Sequence, residues 1–136
     1  MAIVSTKASY GLSAIVILAR AKNQLLQIKE IAAKGDIPQN YLEQILVLLK
    51  NSGFIGSIRG AKGGYKLIKN IEDISVYEIL KTLDCCVSFV DLNNQNKLLN
   101  LFWEEAEFNM KEYFSLTIKD LLELLDKKSN NIIYYI

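Results

Sequence analysis

Residues 38–53, PQNYLEQILVLLKNSG, and residues 54–68, FIGSIRGAKGGYKLI, decide the fold. In the first stretch Leu42, Ile45, Leu46 and Leu49 recur at i, i+3, i+4 and i+7, the spacing of one buried helix face. Pro38 suits the first turn of that helix, where a missing amide hydrogen costs nothing, and Gly53 after Ser52 ends it. The second stretch holds two short strand-like pieces, Phe54 to Ile58 and Tyr65 to Ile68. Between them Arg59-Gly60-Ala61-Lys62-Gly63-Gly64 is a glycine-rich hairpin tip.

Working upstream, Ile28 to Lys34 reads as a short helix, with Gly35 as its stop because glycine tolerates a left-handed conformation. Two helices joined by so tight a turn make a helix-turn-helix, and the hairpin after them is a wing. An earlier helix, capped by Ser5 or Thr6 and running to about Ala21, carries Leu12, Ile15, Val16 and Ala19 on one face and Tyr10, Ala14 and Ile17 on another. Downstream, Ser75 caps a helix over Val76 to Leu83. A polar loop, Asp91 to Asn96, leads into a long helix over Lys97 to Phe114, and Thr117 caps a last one over Ile118 to Lys128 before an apolar tail, Ile132 to Ile136. The expected class is mainly α with a small β wing. Residues 1–84 form a winged helix-turn-helix domain, and residues 85–136 a linker and helical dimerisation region.

The polar face of the Pro38–Gly53 helix presents Gln39, Asn40, Glu43 and Gln44. Amides can bridge N6 and N7 of adenine, and a carboxylate can accept from N4 of cytosine. A helix that merely gripped phosphate would be rich in Lys and Arg, so a carboxylate here favours base readout. In the wing, glycines remove bulk at the tip, so that Arg59 can enter a minor groove and Lys62 meet a phosphate. Lys7, Lys29 and Lys50 are further candidate phosphate contacts. A nucleotide-cradling loop is the competing reading of the tip, but its Gly-Lys-Ser/Thr ending is absent. The long helix places Leu99, Phe102, Trp103, Ala106, Met110 and Tyr113 at helical spacing. A body of this size can hardly cover a rod of about 27 Å, so these residues point to self-association. A twofold dimer predicts a palindromic operator on double-stranded DNA.

The formal charge of +1 hides a partition. Residues 1–70 carry ten Lys or Arg against three acids, and residues 71–136 six Lys against twelve acids, giving +7 and −6. A basic half draws in a polyanion while an acidic half keeps the remainder away from it. No apolar run is long enough to span a bilayer, and the N-terminus lacks the apolar core of a secretory signal, so a cytoplasmic location with no membrane partner is expected. The two cysteines, Cys85 and Cys86, are adjacent, which suits thiols in a reducing compartment better than a structural bridge. Small buried hydrophobes and a thiol sensor are both open readings of the pair. Histidine is absent, which excludes histidine-based triads and imidazole metal sites, and no carboxylate or thiol cluster replaces them. An enzyme is therefore not expected. A winged-helix adaptor that buries the Gln39–Gln44 face against a protein partner is the alternative to a DNA reader, and no motif identifies an effector.

Residues 41–46, 49–55 and 57–67, together with Ser5-Thr6-Lys7, Tyr10-Gly11, Ile31-Ala32, Tyr77-Glu78-Ile79-Leu80 and Trp103, resemble the signature of the Rrf2 family of bacterial transcription regulators. The resemblance spans nearly the whole chain. It implies a winged-helix domain with a long dimerisation helix, and DNA contacts by Asn40, Tyr41, Glu43 and Gln44 in the major groove and by Arg59 and Gly60 in the minor groove. Apart from the resemblance, repression rather than activation is expected, since a wing and helix alone act by occupying a promoter. Cluster-binding members of the family carry three spaced cysteines before the long helix, where this chain reads Asp91-Leu92-Asn93-Asn94-Gln95-Asn96-Lys97. No metal and no iron–sulfur cofactor is expected. The cluster-free loop and the tail Tyr134-Tyr135-Ile136 are more similar to the cysteine-metabolism repressor branch.

Overall fold

The computed structural model describes residues 4–83 and 96–135. Cys85, Cys86 and the loop from Asp91 to Gln95 lie outside the described residues. The elements follow in the order α1 (Thr6–Arg20), α2 (Ile28–Gly35), α3 (Gln39–Asn51), β1 (Ile55–Ile58), β2 (Gly64–Leu67), α4 (Val76–Thr82), α5 (Lys97–Phe114) and α6 (Ile118–Tyr135), with one 3-10 turn at Ile71–Asp73. The strands pair antiparallel, Ile55 opposite Leu67 and Ile58 opposite Gly64. This is the mainly α, winged helix-turn-helix class.

The core grows from the α3 stripe. Leu42, Ile45, Leu46 and Leu49 are all buried, packed with Ile15 and Leu18 of α1, Ile31 of α2, Ile55 of β1, and Ile74, Ile79, Leu80 and Leu83 around α4. On α1 the buried row is Ala8, Gly11, Ala14, Ile15 and Leu18, a narrower and smaller-residue face than the two flanks read from the sequence. Small residues let neighbours approach, and a Cβ on Gly11 would collide with the Leu83 side chain. Ile118, at the start of α6, is also fully buried in this core. Its amide donates to the Ile74 carbonyl at 2.8 Å, and Val76 donates to Leu116 at 3.0 Å. The last helix is thereby sewn onto the winged-helix body.

Several boundaries differ from the sequence reading. The left-handed stop of α2 is Asp36, at φ 51° and ψ 49°, and not Gly35. Gly35 serves packing: a Cβ there would stand 2.8 Å from Cδ1 of Ile37 and 3.1 Å from Cδ1 of Ile17. The turn then falls to the short polar residue that follows, one of the few types that visit this region. Pro38 is the N-cap of α3, not part of its first turn; its ψ of 126° is non-helical while its carbonyl accepts from Leu42 at 2.9 Å. The final helix continues past Lys128 to Tyr135, so most of the apolar tail is helical. Between α1 and α2, Leu26 forms an antiparallel β-bridge with Tyr65.

Candidate nucleic-acid interface

On α3 the apolar stripe faces inward, which forces Gln39, Asn40, Glu43 and Gln44 outward, and all four are exposed. Val47 lies on the same outer face, one turn beyond Glu43, and is 56% exposed. Its position outside the Leu42–Leu49 stripe, and not its residue type, sets that exposure. Tyr41 is half-buried, its ring edge-on to Tyr10 with centroids 5.6 Å apart. Pro38 has no side-chain oxygen, so α3 begins without a side-chain cap from its N-cap residue.

In the wing, Arg59, Gly60 and Lys62 are exposed, and Lys29 is exposed in the first turn of α2. Gly60 adopts φ +114°, a conformation closed to most side chains, and Gly63 donates back to its carbonyl at 3.0 Å. The tip is thus a closed turn with its cations outside it.

Three joints fix this turn to the helices. Lys50, at the end of α3, donates from Nζ to Oγ of Ser57 on β1 at 2.7 Å. That tether engages an amine assigned by sequence to a phosphate. Leu26 and Tyr65 exchange backbone hydrogen bonds of 3.0 and 2.7 Å, adding the segment before α2 to the open edge of β2. Gln27 donates from Nε2 to the carbonyl of Ala61 in the tip at 3.0 Å, while its own amide is held by Oε1 of Glu30 at 3.2 Å. The hydrogen bond from Gln27 to Ala61 joins the start of α2 to the wing tip. Sequence reading missed Gln27 and Ser57, because the signal lies in residues far apart along the chain. Lys7 is half-buried near the start of α1, whose amide at Ala8 donates to Ser5 Oγ at 3.1 Å.

The long helix α5 has no buried residue. Of its sequence-assigned positions, Leu99, Phe102 and Tyr113 are exposed, and Trp103, Ala106 and Met110 half-buried. Leu98, Leu101 and Phe108, overlooked in the sequence, are 80, 62 and 61% exposed. They lie on a stripe of near-heptad spacing, flanking the face chosen from the sequence.

Comparison with known proteins gives this geometry its context. A family model described as "Rrf2: Iron-dependent Transcriptional regulator" matches residues 4–124. The chain is similar to the HTH-type transcriptional regulator CymR of Bacillus subtilis (strain 168), with 32% identity over 98% of this chain and 99% of that one. The solved structure of CymR, described as the global cysteine regulator of B. subtilis, matches with a TM-score of 0.82 at 32% identity, covering 91% of this chain and 98% of that one. IscR of T. potens matches with a TM-score of 0.78 at 30% identity, over 92 and 89% of the two chains. These relatives are transcriptional regulators, and no helix among the described residues is long and apolar enough to cross a membrane. On the family model and on the similarity along its length, the chain belongs to the Rrf2 family of HTH-type, winged-helix transcriptional regulators.

Proposed function

We propose that the chain binds a palindromic operator as a homodimer and represses transcription by occupying the promoter. One observation carries this reading: an exposed amide-and-carboxylate face on α3 is tied, through Lys50 and Ser57, to a hairpin whose glycine tip exposes Arg59 and Lys62. A helix of this kind in a major groove reads base edges, and a cation on a bulk-free tip suits the adjacent minor groove. Gln39, Asn40, Glu43 and Gln44 read bases, with Tyr41 at the margin. Val47 offers a methyl surface to a thymine. Lys7, Lys29 and Lys62 hold phosphates, and Lys50 acts chiefly by fixing the wing. The uncovered α5 supplies the dimer contact through Leu98, Leu101, Phe102 and Phe108, placing two α3 helices on two half-sites.

The family description mentions iron, and the donor set of this chain does not fit the usual cluster. Its only cysteines are Cys85 and Cys86, neighbours in sequence, and it has no histidine. Adjacent thiolates cannot spread over the corners of one cluster. An anaerobic preparation is expected to be colourless; stoichiometric iron and sulfide would overturn that.

The test is promoter-fragment binding by the full chain and two variants. Arg59→Ala should weaken binding. Gln44→Ala should cost about 1–3 kcal/mol and relax preference at one base position. Unchanged binding by both variants removes the assignment, and weak binding indifferent to sequence in the wild type favours a protein-docking role for the same face.

A further inference from the structure

Whether a wing reaches its groove depends on how firmly it is held against the helix that reads the bases, and here the strands alone give little hold. The sheet has two strands of four residues each, too small to be stable by itself. The base of the hairpin is secured by Lys50 on β1 and by the Leu26–Tyr65 bridge on β2. Neither holds the middle of the tip, where Ala61 lies four residues from both Ser57 and Tyr65. One side chain does: Gln27, whose Nε2 donates to the Ala61 carbonyl at 3.0 Å, across 34 residues of chain. Gln27 is well placed to act as a strut. It is the N-cap of α2, its amide is held by Glu30, and the next residue back is paired with β2. Its backbone is thus fixed at both sides, so its hydrogen bond fixes the tip and not the reverse. Ala61 lies between Gly60 and Lys62 and two residues from Arg59. Close approach at the base completes the arrangement, since a Cβ on Gly64 would stand 2.6 Å from the Leu26 carbonyl.

We infer that Gln27 is a positioning residue for DNA recognition: through Ala61 it sets where Arg59 stands relative to α3, and hence the spacing between the major-groove and minor-groove contacts. The inference rests on the DNA-reading function proposed above. Gln27 acts without itself recognising a base. Removing its donor leaves the tip to sample several positions, and binding then has to restore the one that fits.

A double-mutant cycle on the full chain tests this. Gln27→Met keeps length and removes the donor. Against the Arg59 background it should weaken operator binding roughly three- to tenfold, the range expected of one net hydrogen bond. Against Arg59→Ala it should have almost no effect, because the group being positioned is gone. A narrow A·T minor groove holds an inserted arginine better than a G·C one, so exchanging A·T for G·C pairs beside the half-site should cost Gln27→Met less than it costs wild type, while discrimination at the base read by Gln44 stays the same. A second measurement needs no DNA: the Gly63 amide, bonded within the tip, should exchange faster in Gln27→Met while the α3 amides keep their protection. Equal losses in both Arg59 backgrounds would overturn the inference and make Gln27 an independent contact; unchanged affinity together with unchanged Gly63 exchange would overturn it as well. If instead wild type itself shows no sequence preference, the DNA-reading function has failed, and the exchange measurement still decides whether Gln27 holds the tip.

Discussion

At Gly64 the backbone takes φ +149° while the Leu26 carbonyl occupies the space a side chain would need. Alanine there is opposed both by conformation and by contact. Gly64→Ala should therefore lower stability by about 1–3 kcal/mol in denaturant titration, and the Tyr65 amide should lose protection as its bond to Leu26 lengthens. Val47 makes the opposite case. It is 56% exposed in a helix otherwise patterned for burial, so Val47→Ala should change stability by less than about 0.5 kcal/mol. If the α3 face reads bases, the same change should weaken preference for thymine at one position, measured by competition between operator variants. The two residues show why residue type alone misleads: a glycine holds the wing through what it lacks, and a valine in an apolar run points to solvent.

Among the elements, α4 and α6 start with reciprocal caps. Glu78 N donates to Ser75 Oγ at 3.1 Å and Ser75 N to Glu78 Oε2 at 3.4 Å; Asp120 N donates to Thr117 Oγ1 and Thr117 N to Asp120 Oδ2, both at 3.1 Å. These capping boxes were readable in part from the Ser and Thr that open each helix. Ser75 and Thr117 also face each other in a β-bridge, so the two caps share one site. Thr117→Ala should cost about 1 kcal/mol, read from thermal melts. The long helix α5 poses a different question, because it packs too little of itself. Leu98 and Phe108 remain 80 and 61% exposed, more apolar surface than an isolated chain leaves without cause. If α5 is the dimer seam proposed above, Phe108→Glu should leave the fold intact and give a monomer in sedimentation where the wild type gives a dimer. Its melting temperature should then no longer depend on protein concentration.

Over the whole molecule, charge and core divide the chain at different places. Residues 1–70 carry +7 and residues 71–136 carry −6, so on the DNA-reading function proposed above the phosphates are met from the first half of the chain. Operator affinity should fall steeply with salt, and Lys62→Gln should flatten the slope of log K against log salt by roughly one phosphate contact. The core ignores that division. Ile118, well inside the acidic half, is fully buried among residues of α1, α3 and α4. Ile118→Ala should destabilise the DNA-binding body by about 2–5 kcal/mol in chemical denaturation, as loss of a central core side chain does. Arg20 reinforces the same junction from the surface, with its guanidinium 3.3 Å from Asp126 of α6.

What the sequence determined by itself was everything governed by local periodicity and chemistry. The helix-turn-helix followed from the spacing of Leu42, Ile45, Leu46 and Leu49, the wing from glycines between two short strands, and the outward Gln39–Gln44 face from its place opposite the stripe. These needed no partner, because a helix that buries one face must expose the other. The left-handed residue at Asp36, the tether from Lys50 to Ser57, the strut from Gln27 to Ala61 and the burial of Ile118 were decided by tertiary structure. Each depends on which remote residues lie alongside: Ile17 and Ile37 take the space a side chain at position 35 would need, so the glycine there serves close approach while the left-handed turn stands at Asp36.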